Sequence, residues 1–296
     1  MGTTYCEPLL AWYSRSARDL PWRAAGATPW SVLVSEFMLQ QTPVVRVLPA
    51  HAAWLARWPS PRALAADPPA EAIRQWGRLG YPRRALRLHE TAGLLVARHG
   101  GQVPDSAEAL RALPGVGGYT AAAVAAFAFG QRHAVLDTNV RRVLARLIAG
   151  RALPPRSTMS VAEVRMAESL LPDEPAVAAR WSVAVMELGA LVCTAVAPRC
   201  GECPLADGCA WLAAGRPAPA ESGARRTQRY EGTDRQCRGR VLAVLRDSGT
   251  PVPRTAFDAV WPDPAQLARA LDTLIYDGLV DPLPDHTFAL PAASPP

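Results

Sequence analysis

The 296-residue sequence contains no lysine, so arginine supplies all 32 of its strongly basic side chains. Without a lysine amine, the chain has no side chain that forms a Schiff base, which excludes enzyme classes that depend on a lysine imine. The sequence also has no apolar run near the ~20 residues that span a bilayer. Its N-terminus lacks the basic and then apolar segments of a secretory leader, which predicts a cytoplasmic protein with no membrane partner.

The composition is typical of a soluble globular protein with a large core. Hydrophobic residues make up 49% of the chain and the mean hydropathy is +0.01, while the length allows two or three modules. The formal net charge is +6 and the isoelectric point is about 9.3. A basic balance of this kind favours a polyanionic partner.

The hydrophobic periodicity is helical almost throughout the first 215 residues, with turns at proline or glycine. It predicts helices at 6–16, 30–41, 44–58, 70–79, 82–98, 160–171 and 175–191. Residues 215–230 are rich in Pro, Gly, Ser and Arg, which is typical of a linker. The last segment, about 60 residues long, predicts three helices and then two short strands around Pro284, a pattern that resembles a winged-helix domain.

Four of the six cysteines lie in one loop with the spacing C-x6-C-x2-C-x5-C. Disulfides are rare in a cytoplasmic chain of this size. Zinc sites usually combine two separated CxxC pairs, and this loop has only one. All-thiolate ligation of a [4Fe–4S] cluster is therefore favoured over zinc, and the predicted ligands are Cys193, Cys200, Cys203 and Cys209.

A glycine-rich turn at 113–118 precedes an alanine-rich helical segment that begins at Tyr119. A turn that lets the backbone approach closely, followed by a helix N-terminus, is typical of an anion site, although a tight turn between packed helices is the alternative. Asp137 and Asn139 follow the helix, just before two arginines. A carboxylate beside a phosphate-binding turn indicates a cation-like transition state that forms next to a DNA backbone.

Glu36 is the only acidic residue in a long apolar stretch, 30–42. A glutamate in a helix is more often exposed, but apolar neighbours on both sides predict burial and a raised pKa, as a general acid needs. A reaction with a cation-like transition state needs one group that protonates the leaving group and another that stabilises the positive charge. Glu36 and Asp137 are the two carboxylates that we assign to these tasks.

These segments together resemble the MutY adenine DNA glycosylase family, which is related to endonuclease III, over roughly residues 8–215. The resemblance implies a mainly α, two-lobed helix-hairpin-helix glycosylase fold with a [4Fe–4S] cluster loop, followed by the small winged-helix-like α/β module. The implied organisation is an iron–sulfur lobe at 1–27 and 134–214, a helical lobe at 28–133 with the hairpin at 113–133, a linker at 215–234 and the module at 235–296.

The same resemblance implies a role for each catalytic candidate. Glu36 protonates adenine and then activates water, and Asp137 stabilises or captures the oxocarbenium ion. Tyr119 occupies the position where bifunctional relatives have a nucleophilic lysine, so the chain is expected to remove a base without cutting the strand. Asn139 and Tyr119 are expected to hold the catalytic aspartate and the water.

The resemblance also implies how DNA is bound. The expected partner of a prokaryotic, nucleoid-associated monomer is double-stranded DNA that contains adenine opposite 8-oxoguanine or guanine. Gln41 and Tyr81 match residues that fill the gap left by a flipped base, whereas Arg23 and Glu187 match contacts to the adenine edge. The hairpin glycines are the expected phosphate contacts, namely Gly115, Gly117 and Gly118.

Three questions stay open from the sequence alone. The first is substrate, because thymine or uracil glycosylases that act opposite guanine also have a tyrosine at the hairpin and a cluster. The second is activity, since a non-catalytic iron–sulfur DNA-binding regulator is the alternative to an enzyme. The third is the terminal module, which is shorter than the Nudix-like domain of longer relatives and is expected to be either a DNA contact or an acidic packing cap.

Overall fold

The computed structural model describes residues 2–155, 158–219 and 230–292. Residues 220–229 of the predicted linker and 293–296 of the predicted module lie outside the described residues. The chain divides into two compact units, of which the first comprises Met1–Glu36, Pro104–Ala112 and Val116–Ala224, and the second Phe37–Val103, Leu113–Gly115 and Arg225–Pro296. The domain boundaries given above remain a prediction.

The described residues form fifteen α-helices and three short strands, which confirms the mainly helical prediction. The helices are α1 (Gly2–Ser16), α2 (Pro29–Leu39), α3 (Val44–Arg57), α4 (Pro61–Ala66), α5 (Pro69–Trp76), α6 (Arg83–His99), α7 (Ala107–Arg111), α8 (Gly118–Phe129), α9 (Thr138–Leu147), α10 (Val161–Leu170), α11 (Pro175–Leu191), α12 (Ala210–Ala213), α13 (Asp234–Asp247), α14 (Thr255–Asp258) and α15 (Pro264–Tyr276). The strands are β1 (Val252–Pro253), β2 (Asp281–Pro282) and β3 (Thr287–Ala289). No helix of the described residues is long and apolar enough to cross a membrane.

The core of the first unit is formed by α1, α9 and α11. In α9, Val140, Val143, Leu144 and Leu147 are buried at helical spacing, so this helix presents an apolar stripe to α11. Helix α11 begins at Pro175, where a missing N–H costs nothing. These helices fix the positions of the side chains that precede α9 and project from α11.

The helical part of the second unit is built from α3 to α6, in which α6 packs against α4 and α5. Helix α6 ends at Gly100, which adopts the left-handed conformation (φ 63°) that glycine tolerates best at a helix C-terminus. Three tryptophans, Trp54, Trp58 and Trp76, pack edge to face with ring centroids 4.7 and 5.7 Å apart.

The C-terminal module also belongs to the second unit. Helices α13, α14 and α15 pack with an antiparallel sheet of order β1-β3-β2, in which Val252 pairs with Phe288 and Asp281 with Ala289. This architecture confirms the winged-helix-like prediction of three helices and a hairpin. Strand β1 was not predicted, because two residues are too few to show the alternation of a strand.

Candidate active site

Glu36 lies in α2, and only 5% of its surface is exposed. Its neighbours Val34 and Phe37 are at most 1% exposed, so apolar side chains flank the carboxylate along the helix. Burial raises the pKa of Glu36 to about 7, the negative charge of Asp137 adds to the rise, and Arg23 opposes it. The expected burial and raised pKa are therefore confirmed, and at neutral pH this group both donates and accepts a proton readily.

Asp137 is the N-cap of α9, and its carboxylate is held by two hydrogen bonds. The backbone N–H of Val140 donates to Oδ1 at 2.7 Å, and the side-chain amide of Asn139 donates to Oδ2 at 2.9 Å. Burial raises the pKa of Asp137, while these hydrogen bonds and the charge of Arg142 oppose the rise. Asn139 thus has the contact with Asp137 that the sequence predicted.

Tyr119 lies in the first turn of α8, within hydrogen-bonding reach of the Glu36 carboxylate. Burial raises the pKa of its hydroxyl well above the ordinary value, and the charges of Glu36 and Asp137 raise it further. The hydroxyl therefore stays protonated and is a hydrogen-bond donor. The structure brings together Glu36, Asp137 and Tyr119, which are distant in the sequence.

Glu187, on α11, is fully buried and bound by two guanidinium groups. Arg18 donates to both of its oxygens at 2.7 Å and adds a backbone N–H at 3.0 Å, and Arg23 donates to Oε2 at 2.7 Å. Burial alone would raise the pKa of Glu187, but the hydrogen bonds from Arg18 and the charge of Arg23 outweigh it and lower the pKa to about 2. Arg18 was missed in the sequence, where nothing local distinguishes it from the other arginines.

The four predicted cluster ligands are half-buried free thiols in the first unit. The pKa of Cys203 is raised to about 11 by burial, with contributions from Cys193, Cys209 and Cys200, so the four thiols lie close enough to interact electrostatically. The described residues contain no group of three or more His, Cys, Asp or Glu side chains placed to hold a metal ion. A cubane cluster binds one thiolate per iron, and this donor set fits it.

Arg142 and Arg146 join the cysteine loop to α9. Arg146 donates to the Cys193 sulfur at 3.3 Å and to the Thr194 carbonyl at 2.7 Å. Arg142 donates to the Cys193 carbonyl at 2.8 Å and to the side-chain oxygen of Asn139 at 2.8 Å. A continuous series of hydrogen bonds therefore runs from the cysteine loop through Arg142 and Asn139 to the carboxylate of Asp137.

Gln41 and Tyr81 lie in the second unit, where the Tyr81 hydroxyl donates to Gln41 Oε1 at 2.8 Å. Both residues have a positive φ, 54° and 49°, which is uncommon for residues with a side chain. The buried guanidinium of Arg84 holds both loops, because it donates to the carbonyls of Gln40 at 2.5 Å and Gly80 at 3.0 Å and to Thr42 Oγ1 at 3.0 Å. Sequence reasoning did not find Arg84.

The hairpin glycines have different structural requirements. Gly115 has φ 76°, and a Cβ there would lie 2.9 Å from the Phe37 ring, so only glycine fits. Gly117 and Gly118 are exposed at the start of α8, where no side chain of the described residues caps the helix. Their open surface and the dipole of α8 suit an anion such as a phosphate.

Comparison with known proteins agrees with this geometry. Residues 34–166 match the family described as HhH-GPD superfamily base excision DNA repair protein, and residues 193–209 match the iron-sulfur binding domain of endonuclease III. The second match confirms the predicted [4Fe–4S] cluster loop.

Two curated relatives are similar along nearly their whole length. Both are adenine DNA glycosylases, one from Mycolicibacterium smegmatis, 54% identical over 95% of this chain and 94% of the relative, and one from Mycobacterium tuberculosis, 55% identical over 96% and 92%. Among solved structures, a thermostable thymine-DNA glycosylase superposes with a TM-score of 0.63 at 26% identity, over 72% of this chain and 96% of that one.

Proposed function

The chain belongs to the adenine DNA glycosylase family, within the HhH-GPD superfamily of base excision DNA repair proteins, and on that premise we propose that it hydrolyses the N-glycosidic bond of adenine mispaired with 8-oxoguanine or guanine. The observation that carries the proposal is the cluster of Glu36, Asp137 and Tyr119. A buried carboxyl with a pKa of about 7 beside a second carboxylate is the pair that this chemistry requires.

In the proposed reaction, protonated Glu36 donates its proton to the departing adenine. The bond between C1′ and the base breaks, and its electron pair leaves with the adenine. Asp137 stabilises the positive charge that develops on the sugar, because its carboxylate is fixed by Val140 and Asn139. Water then adds to C1′, and the Glu36 carboxylate accepts the proton that the water loses.

The proposed activity stops at base removal. Tyr119 stands where a lysine would attack the sugar, and the chain contains no lysine. A tyrosine hydroxyl cannot form an imine, so strand cleavage through a Schiff base is not available. Its raised pKa supports a different role, in which the hydroxyl donates a hydrogen bond and orients Glu36.

The residues predicted to contact DNA have geometries that support those roles. Tyr81 is 52% exposed and tied to Gln41, as a wedge that fills the place of a flipped base requires. Arg23 keeps 17% of its side chain exposed, whereas Glu187 is enclosed. We therefore propose that Arg23 contacts the base edge and that Glu187 holds Arg23 in place.

When bound, the [4Fe–4S] cluster supplies four iron–sulfur bonds that fix the loop between α11 and α12. The chain's own residues connect this loop to the reaction site, since Arg142 contacts both the Cys193 carbonyl and Asn139. The cluster is proposed to have a structural role, in which it keeps α9 and Asp137 in position.

A panel of duplexes tests the proposed function. Adenine is placed opposite 8-oxoguanine, guanine, thymine or cytosine in matched duplexes, and free adenine and strand cleavage are measured separately. We expect adenine release opposite 8-oxoguanine and guanine, and strand cleavage only after alkali is added. Tight binding with the base still attached after long incubation would instead support a non-catalytic regulator.

Thymine removal is the second candidate, because the solved structure of a thymine-DNA glycosylase has the same fold. Thymine or uracil opposite guanine is therefore added to the panel. Release of thymine in preference to adenine would reject the adenine assignment and keep the glycosylase chemistry.

A further inference from the structure

A groove of about 850 Å³ runs through the second unit, along α13 on one side and the segment between α5 and α6 on the other. We call it the arginine groove, because seven arginines line it: Arg46, Arg78, Arg83, Arg235, Arg238, Arg240 and Arg246. None of them was singled out in the sequence.

The described residues that line the arginine groove are strongly basic. Among the described residues, the only carboxylate that lines it is Asp277, so these residues give it a formal charge of +6. The other six aspartates of the C-terminal module do not line the groove: Asp247, Asp258, Asp263, Asp272, Asp281 and Asp285. The module is therefore basic on this face, and an acidic packing cap does not describe it.

Some arginines build the walls of the groove. Arg246 donates to the Ile73 carbonyl at 3.2 Å, and Arg83 and Arg238 both pair with Asp277, at 3.2 and 2.5 Å. These contacts join α13 and α15 to α5 and α6 within the second unit. They connect the two walls of the groove, and Asp277 is the one carboxylate that takes part.

Other arginines are available for a ligand. Arg78, Arg235 and Arg240 are exposed and make no ion pair with the described residues. Along α13, Arg235 and Arg246 are eleven residues apart, a distance of about 16 Å on the helix axis. That length corresponds to the axial rise of four or five phosphates of one strand, at about 3.4 Å per phosphate along the duplex axis.

The arginine groove is continuous with the predicted DNA contacts. It shares Gln41, Tyr81 and Arg83 with a smaller cavity of about 340 Å³, which extends to the hairpin glycine Gly115. Within the second unit, a single basic track therefore passes from Gly115, beside the predicted wedge, to α13.

We infer that the arginine groove binds the sugar–phosphate backbone of duplex DNA beside the predicted wedge, Gln41 and Tyr81, so that the C-terminal module is a DNA-binding element. This inference rests on the proposed function for the role of the wedge. One guanidinium group can donate two parallel hydrogen bonds to the oxygens of one phosphate. A groove lined by seven guanidinium groups is therefore suited to a polyanion rather than to a neutral ligand. Binding here lengthens the footprint and adds no base readout.

The test compares two variants that lose the same charge. The groove variant carries Arg78→Gln, Arg235→Gln and Arg240→Gln, and the control variant carries Arg98→Gln, Arg254→Gln and Arg269→Gln, which lie in the same unit outside the groove. Binding to a duplex with an abasic-site analogue, which has no base to release, is measured across salt concentrations. A third variant with lysine at the three groove positions retains the charge.

Log affinity falls as log salt concentration rises, and each lost phosphate contact makes this negative slope shallower by about 0.9. The groove variant is expected to lose two to three units of slope and at least about tenfold in affinity at physiological salt. The control and the lysine variant should stay within about twofold of the native protein. A groove variant that matches the control in both slope and affinity overturns the inference.

The outcome is separable from the proposed function. Binding is measured on the abasic-site analogue and adenine release on a duplex that still carries the base, so the two proposals have separate readouts. If the native protein released no adenine but the groove variant still lost salt dependence, the groove would stand and the enzymatic proposal would fail.

Discussion

Two buried glutamates of the first unit, Glu36 and Glu187, have pKa values shifted in opposite directions. Glu36 on α2 is 5% exposed and Glu187 on α11 is 0% exposed, yet the pKa of Glu36 is raised to about 7 and that of Glu187 is lowered to about 2. Burial opposes ionisation in both, so burial does not explain the difference.

The charged and polar groups that surround each glutamate explain the difference between their pKa values. Glu187 accepts from Arg18 and Arg23, whereas Glu36 faces the like charge of Asp137 and the neutral hydroxyl of Tyr119. Glu187, with a charged donor on each oxygen, stays ionised and is an anchor for both arginines. Glu36, beside a second carboxylate, gains and loses its proton near neutral pH. Arg23 interacts with both glutamates, so the two sites share one cation.

Loss of the proton donor should have the largest effect. In Glu36→Gln the side chain keeps its shape but has no acidic proton, so single-turnover adenine release should fall about 10³-fold while DNA affinity stays within twofold. Glu168→Gln, an exposed glutamate of α10, is the control. Near-native release by the Glu36 variant would remove this residue from the reaction.

Loss of the anchor should affect folding more than chemistry. Glu187→Gln leaves Arg18 and Arg23 without the carboxylate that both of them bind, so the free energy of unfolding should fall by about 4 kcal/mol. Urea denaturation at pH 7 measures it, with Glu168→Gln again as control. A loss of less than about 1 kcal/mol would show that the buried ion pairs are not the anchor described.

The two glutamates should also differ in how pH affects stability. The folded pKa of Glu36 lies above its ordinary value of 4.5, so its contribution is complete below pH 4.5 and is lost as pH rises through 7. Glu36→Gln never ionises, so its stability relative to the native protein should increase by about 3 kcal/mol between pH 4.5 and pH 8. Denaturation curves of both proteins at the two pH values test this. The same difference in the free energy of unfolding between variant and native protein at pH 4.5 and pH 8 would contradict it.

The shared cation provides the smallest and sharpest test. Arg23→Gln removes a charge that lowers the pKa of Glu36, whereas Arg18→Gln affects Glu187 alone. The pH at which the rate of adenine release is half its plateau value should therefore be higher in the Arg23 variant, by less than about one unit. It should be unchanged in the Arg18 variant. Identical shifts in both variants would mean that the two sites are not distinguished by Arg23.

Local sequence predicted the parts of this site that depend on neighbours along the chain. Apolar residues around Glu36 indicated its burial, and the cysteine spacing indicated the cluster loop, because both signals lie within about two helical turns or one loop. The winged-helix-like module was predicted in the same way, from three periodic segments and a hairpin.

The rest depends on contacts between distant residues. Arg18 is 169 residues from Glu187, and Arg84 is 44 residues from the Gln40 carbonyl that it holds. Local spacing carries no information about such pairs. The composition of the C-terminal module was also misleading, because an average over all its faces concealed the one basic face that α13 presents to the arginine groove.

The pH dependence of single-turnover adenine release from a duplex with adenine opposite 8-oxoguanine tests the central claim, that Glu36 acts in its protonated form, most directly. The account predicts a plateau below the pKa of Glu36, half the plateau rate at about pH 7, and a tenfold fall for each further pH unit. A rate that stays constant up to pH 9 in the native protein would contradict it.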